Sequence, residues 1–109
     1  AIVNPYIVDS NKCISYLTIE NKNEISKEFK GKFDNWVFGC DICQDVCPWN
    51  IKFAQETLSE DFNHPENMEL NLNKVLEMNE GEFKSKFFTS PVKRTKLSGL
   101  KRNALFLLQ

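Results

Sequence analysis

Apolar positions along this 109-residue chain fall in short groups spaced for helices of one to four turns. Ile14, Leu17 and Tyr16 predict a helix over residues 11–19, N-capped by Asp9 or Ser10, which brings Cys13 onto or beside a buried face. A second short helix is predicted from Glu24 to Phe29, ending near Gly31. Phe33, Trp36, Val37 and Phe38 then form an aromatic-rich stretch expected to be buried against whatever Cys40 binds. Asp41 to Val46 predicts a single helical turn stopped by Pro48, whose ring cannot continue a helix. From Lys52 to Met68 the chain is polar and includes Asn63-His64-Pro65, the pattern of a loop with at most one helical turn and a solvated histidine.

The second half reads as helical. Leu70, Leu72, Val75, Leu76 and Met78 predict one helix, and Asn79 with Glu82 forms a capping-box signal for another through Phe88. Ser90-Pro91 opens a last helix to Leu108, with Leu97, Leu100, Ala104, Leu107 and Leu108 on one face. Gly99 inside it costs roughly 1 kcal/mol relative to Ala, so it marks either a close approach or a break. The longest apolar run, Ala104 to Leu108, is far short of the ~20 residues of a membrane span. No repeat or low-complexity segment interrupts the pattern.

Charge changes this picture more than composition does. Lysine and arginine total 14 against 15 acids, a net charge of −1, but every acid lies at or before Glu82. From Phe83 onward there are seven basic residues and no acid, so the tail suits a polyanion, although a solvated helix face has the same composition. The opening Ala-Ile-Val-Asn-Pro-Tyr lacks the pattern of a signal peptide and reads as a cut end.

The chain has four cysteines: Cys13, and Cys40, Cys43 and Cys47 in the run Gly39-Cys40-Asp41-Ile42-Cys43-Gln44-Asp45-Val46-Cys47-Pro48. Disulfides fit poorly with such clustering in a chain lacking a secretory feature. A single zinc held by all four would need one of its usual Cys-x2-4-Cys knuckles to be split widely. The spacing favours iron–sulfur chemistry, because Cys-x3-Cys-Pro ends the two-cluster ferredoxin motif, whose last cysteine ligates the neighbouring cluster. If Cys47 leaves in that way, Cys13, Cys40 and Cys43 are three ligands of one cluster, and both clusters need thiolates from elsewhere.

These residues resemble the epoxyqueuosine reductases, the iron–sulfur and cobalamin enzymes of queuosine tRNA modification. The resemblance rests on Ala1-Ile2, on Cys13-Ile14-Ser15-Tyr16-Leu17-Thr18-Ile19-Glu20, on the Gly39 to Asn50 run, and more weakly on Arg94 and Gly99 to Ala104. It implies that Cys13, Cys40 and Cys43 join one further cysteine on a 4Fe-4S cluster, while Cys47 completes a second. It also implies a cobalamin held mainly by a preceding domain, with Ser15 and Asp41 close enough to the clusters to be candidate cofactor contacts. Lys93, Arg94, Lys96, Lys101 and Arg102 become candidates for tRNA phosphate contact. Glu20 either anchors the loop after its helix or contacts substrate.

The expected fold is mostly α. Half of a two-cluster ferredoxin-like module at 1–51 is followed by a linker at 52–69 and a helical segment at 70–109, for which a HEAT-like arrangement is one form. The expected role is electron delivery and tRNA engagement in a cytoplasmic, monomeric parent served by a separate electron donor, this chain alone being inactive. Two competitors stand beside it: a module of another corrinoid iron–sulfur reductase of the reductive dehalogenase kind, and a non-catalytic module in which the four cysteines bind zinc.

Overall fold

A computed structural model describes residues 1–62 and 69–109. The predicted Asn63-His64-Pro65 turn, with His64, lies outside the described residues. The fold is mostly α-helical, with one small hairpin at its start.

The hairpin pairs β1 (Ile2–Asn4) antiparallel with β2 (Ile7–Val8), matching Ile2 to Val8 and Asn4 to Ile7. The turn places Tyr6 at φ 64°. Period-based reading misses it, because Asn4-Pro5-Tyr6 is not one of the Asn-Gly type signals that announce a tight hairpin.

Asp9 caps the next segment as expected, accepting the Asn11 N–H at 3.1 Å, but the helix is divided. A 3-10 turn over Ser10–Lys12 leads to Cys13 in extended backbone, and α1 follows over Ile14–Ile19. The helix predicted at Glu24–Phe29 contracts to a 3-10 turn at Lys27–Phe29 ahead of Gly31, which takes φ 71°. Next come α2 (Ile42–Asp45) and α3 (Pro48–Phe53). Pro48 therefore starts a helix as well as ending the preceding turn, since a first-turn proline loses no intrahelical bond.

In the second half, α4 covers Leu72–Glu77 and α5 covers Glu80–Lys86. The capping box is present at α5: Asn79 Oδ1 accepts the Glu82 N–H at 3.0 Å and Glu82 accepts the Asn79 N–H at 2.8 Å. Ser90 and Pro91 open a 3-10 segment, Pro91–Thr95, before α6 (Lys96–Leu108). The break falls at Lys96, which takes φ 63°, while Gly99 stays helical. A β-carbon on Gly99 would lie 2.5 Å from Thr95 Oγ1, so glycine serves the close-approach reading.

Among the described residues two hydrophobic clusters form the core, and α6 serves both. Leu97, Leu100 and Ala104 pack with Val75, Phe83, Phe87 and Val92, while Val37 and Phe38 lie against that group. Farther along α6, Phe106 and Leu107 pack on Leu17, Ile25 and Phe33. Phe33 therefore buries itself against Phe106, with ring centroids 5.1 Å apart, rather than against the cysteines. Fully burying one such ring is worth about 3 kcal/mol, so the end of α6 is a substantial support for the first half of the chain.

Candidate metal centre

The four cysteines sit at backbone junctions that follow from local sequence. Cys13 occupies the position before α1, donating its N–H to Ser10 O at 3.0 Å and accepting from Leu17 N–H at 2.9 Å. Cys40 follows Gly39, whose φ of 72° is one that glycine adopts without strain, just before the ligand run. Cys43 lies in α2, and Cys47 precedes Pro48 at the start of α3. Asn50 joins the two short helices by donating to Gln44 O at 3.1 Å and Gln44 Oε1 at 2.9 Å. Gln44 Nε2 is 4.0 Å from Cys43 Sγ, a weak N–H to sulfur contact.

All four thiols are free; Cys43 is exposed and the other three are half-buried. Among the described residues, no three His, Cys, Asp or Glu side chains are gathered as ligands of a single ion. The donor set fits iron–sulfur ligation. It consists of unpaired thiols at the ends of short, hydrogen-bonded turns that leave the sulfurs accessible, the ligand chemistry such clusters use.

Ser15 lies half-buried in α1, two residues after Cys13. Asp41 is exposed at the N-cap of α2, directly after Cys40 and without a side-chain capping bond. Both are thus close in the chain to candidate ligands. Trp49 is exposed and stacks on Phe53 at 5.4 Å, while Trp36 is half-buried.

The basic candidates fall into different environments. Lys93 and Lys96 are exposed, Lys93 donating only to Phe88 O at 3.2 Å, and Lys101 is half-buried. Arg94 is exposed and ion-paired with Glu20 at 2.6 Å.

Arg102 is used differently. Its Nε and Nη2 donate to Asn103 Oδ1 at 3.1 and 2.8 Å, Nη2 also to Leu17 O at 3.0 Å, and Nη1 to Asn21 O and Asn23 O at 2.6 and 3.0 Å. All five guanidinium donors are thereby used inside the fold, on the Asn103 side chain and on carbonyls in and after the last turn of α1, where helical partners run out. Burial lowers the Arg102 pKa from the ordinary arginine value, with Glu24 acting in the opposite sense. The group remains a cation at neutral pH.

Sequence reasoning missed the polar residues around this staple. Thr18, Thr95 and Asn103 are buried, and Asn103 Nδ2 donates to Thr18 O at 2.7 Å and Val37 O at 3.0 Å. The available signal was Asn103 itself, an amide between Leu100 and Leu107 on the apolar face of α6.

Comparison with known proteins places this arrangement. Residues 1–50 match the family described as a 4Fe-4S double cluster binding domain. An epoxyqueuosine reductase of Cellulophaga algicola is 56% identical over 108 residues, covering 98% of this chain and 35% of the relative. One from Synechocystis is 47% identical over 111 residues, covering 100% of this chain and 38% of the relative. The chain thus spans about a third of the length of the curated relatives it matches.

In structure, an epoxyqueuosine reductase solved with an epoxyqueuosine-modified tRNA stem loop superposes with a TM-score of 0.86 at 35% identity. That match covers 99% of this chain and 28% of the other. The Bacillus subtilis enzyme gives the same TM-score and identity, covering 99% and 29%. With its cysteine run, its helical tail and this agreement along nearly its whole length, the chain belongs to the epoxyqueuosine reductase family.

Proposed function

We propose that this chain is the iron–sulfur electron-transfer and tRNA-engaging part of an enzyme that reduces epoxyqueuosine to queuosine in tRNA. The observation carrying this reading is the coincidence of all four cysteines with the stretch that matches a double-cluster family. In the proposal, Cys13, Cys40 and Cys43 hold one 4Fe-4S cluster together with a cysteine from outside the chain, and Cys47 contributes to a second. When bound, the clusters supply single electrons, and a cobalamin near Ser15 and Asp41 supplies the reducing centre.

The chain's own residues do the positioning. The positive φ at Gly39, the short α2 and the Asn50 to Gln44 bonds present Cys40, Cys43 and Cys47 from one compact segment. Lys93, Lys96 and Lys101 offer cations to tRNA phosphates, joined by Arg94 when a phosphate replaces Glu20. Arg102 takes the structural part, because a guanidinium with all its donors engaged has none left for a phosphate. In the same reading the complete protein is a cytoplasmic monomer served by a separate electron donor.

Anaerobic purification of the complete protein followed by metal analysis tests the reading. Iron and sulfide in amounts matching two clusters, bleached by substitution of Cys13 or Cys47, are expected. One zinc per chain without iron or sulfide overturns it.

A further inference from the structure

One hydrogen bond connects the two segments that carry the candidate ligands of a single cluster. Thr18 is fully buried in α1, five residues beyond Cys13. Its hydroxyl donates back to Ile14 O at 2.8 Å and lies 3.3 Å from Ser15 O. Turned this way, Thr18 Oγ1 accepts the Gly39 N–H at 3.0 Å. Gly39 immediately precedes Cys40. A threonine hydroxyl within a helix ordinarily satisfies only its own preceding turn. Here a lone pair of the same oxygen also holds a backbone donor 21 residues away.

The far side of Thr18 is equally fixed. Its carbonyl accepts from Thr95 Oγ1 at 3.0 Å and from Asn103 Nδ2 at 2.7 Å, and the same Asn103 nitrogen donates to Val37 O at 3.0 Å. The tail helix thus clamps α1 and the segment leading into Gly39, while Thr18 Oγ1 joins those two directly. The connection from Cys13 to Cys40 runs through backbone and this hydroxyl, with no thiol taking part.

We propose that Thr18 is a positioning residue: by holding Gly39 against α1 it sets the placement of Cys40 relative to Cys13, and so tunes the cluster that these two cysteines share. This rests on the iron–sulfur reading above. The hydrogen bonding and solvent exposure around cluster sulfurs are levers on cluster potential, and residues that orient ligands act through both. Thr18→Val keeps the branched shape and removes the acceptor, leaving the Gly39 N–H to seek water or a sulfur. Cys47 directly precedes α3, outside this connection, so the second cluster serves as an internal reference.

The test uses the complete, anaerobically purified protein with both clusters loaded, comparing Thr18→Val, Thr18→Ser and Thr95→Val by iron and sulfide content, EPR and redox titration. Wild-type protein without iron and sulfide means that the cluster reading itself has failed. With clusters present, Thr18→Val is expected to shift the EPR signal and midpoint of one cluster and leave the other in place. Thr18→Ser, which restores the hydroxyl, is expected to return both to wild-type positions. Thr95→Val, which removes a bond to the Thr18 carbonyl but not the Gly39 contact, should lower the unfolding temperature without moving either signal. The proposal is overturned by wild-type signals in Thr18→Val, or by an equal shift in Thr95→Val. Should valine prevent folding, Thr18→Ala is read in the same way. Loss of fold and of both clusters together in every variant lacking the hydroxyl leaves Thr18 a structural role only and overturns the proposal.

Discussion

Arg94 Nε lies 2.6 Å from Glu20 Oε1, which ties the basic turn before α6 to the residue that ends α1. A carboxylate at a helix C-terminus faces the negative end of the helix dipole, so the arginine relieves an unfavourable placement. Both side chains are substantially exposed, and such a pair contributes no more than about 1 kcal/mol. Arg94→Gln is therefore expected to change the unfolding free energy by less than about 1 kcal/mol. It should also weaken binding of an epoxyqueuosine tRNA stem loop and reduce the slope of log K against log salt by about one. Equal slopes for variant and wild type would remove Arg94 from the phosphate contacts.

Arg102→Gln is expected to behave in the opposite way. It strips donors from the carbonyls of Leu17, Asn21 and Asn23, and leaving such groups unpaired costs about 1–3 kcal/mol each where water does not replace the bond. Chemical denaturation should show a clear loss of stability. The salt slope of tRNA binding by the folded fraction should stay at the wild-type value.

Gly99→Ala should destabilise, although alanine is the better helix former by about 1 kcal/mol. The new methyl would meet Thr95 Oγ1 at 2.5 Å, and that hydroxyl is held by its bond to Thr18 O. Combining Gly99→Ala with Thr95→Ala removes the obstructing oxygen. A double-mutant cycle should therefore show a favourable coupling of roughly 0.5–3 kcal/mol. Strict additivity would mean that the contact yields without cost.

Asn79→Ala removes one half of the capping box at α5 and should cost about 1 kcal/mol, read from the shift in denaturation midpoint. Iron and sulfide content should be unchanged, since the bond lost, from the Glu82 N–H to Asn79 Oδ1, is exposed and confined to the first turn of α5.

What the sequence reveals and what it conceals divide by the range of the interactions. Asn79 and Glu82 announce their helix start because both partners lie within one turn. The cysteines are legible because spacing and the following proline carry ligand information. Pro48 is legible only in part, since a proline after a turn signals a stop and a first helical position equally well. Gly99 by its letter allows either a close approach or a break in the tail; it serves the close approach, while the backbone departs from the helix at Lys96, where no residue preference announces a positive φ.

Arg94 and Arg102 are indistinguishable as letters in a basic segment. Only the folded chain shows that one is exposed in an ion pair while the other supports carbonyls about 80 residues earlier. Thr18, Thr95 and Asn103 escape for the same reason: their partners are distant in sequence, and a buried polar residue makes sense only beside the group it satisfies.

Phe106, in the last turn of α6, sets its ring 5.1 Å from that of Phe33. Replacing Phe106 and Leu107 by alanine would open the small core formed by Leu17, Ile25 and Phe33. The last turn of α6 is thus a keystone for the cysteine-bearing first half, despite the long stretch of sequence between them.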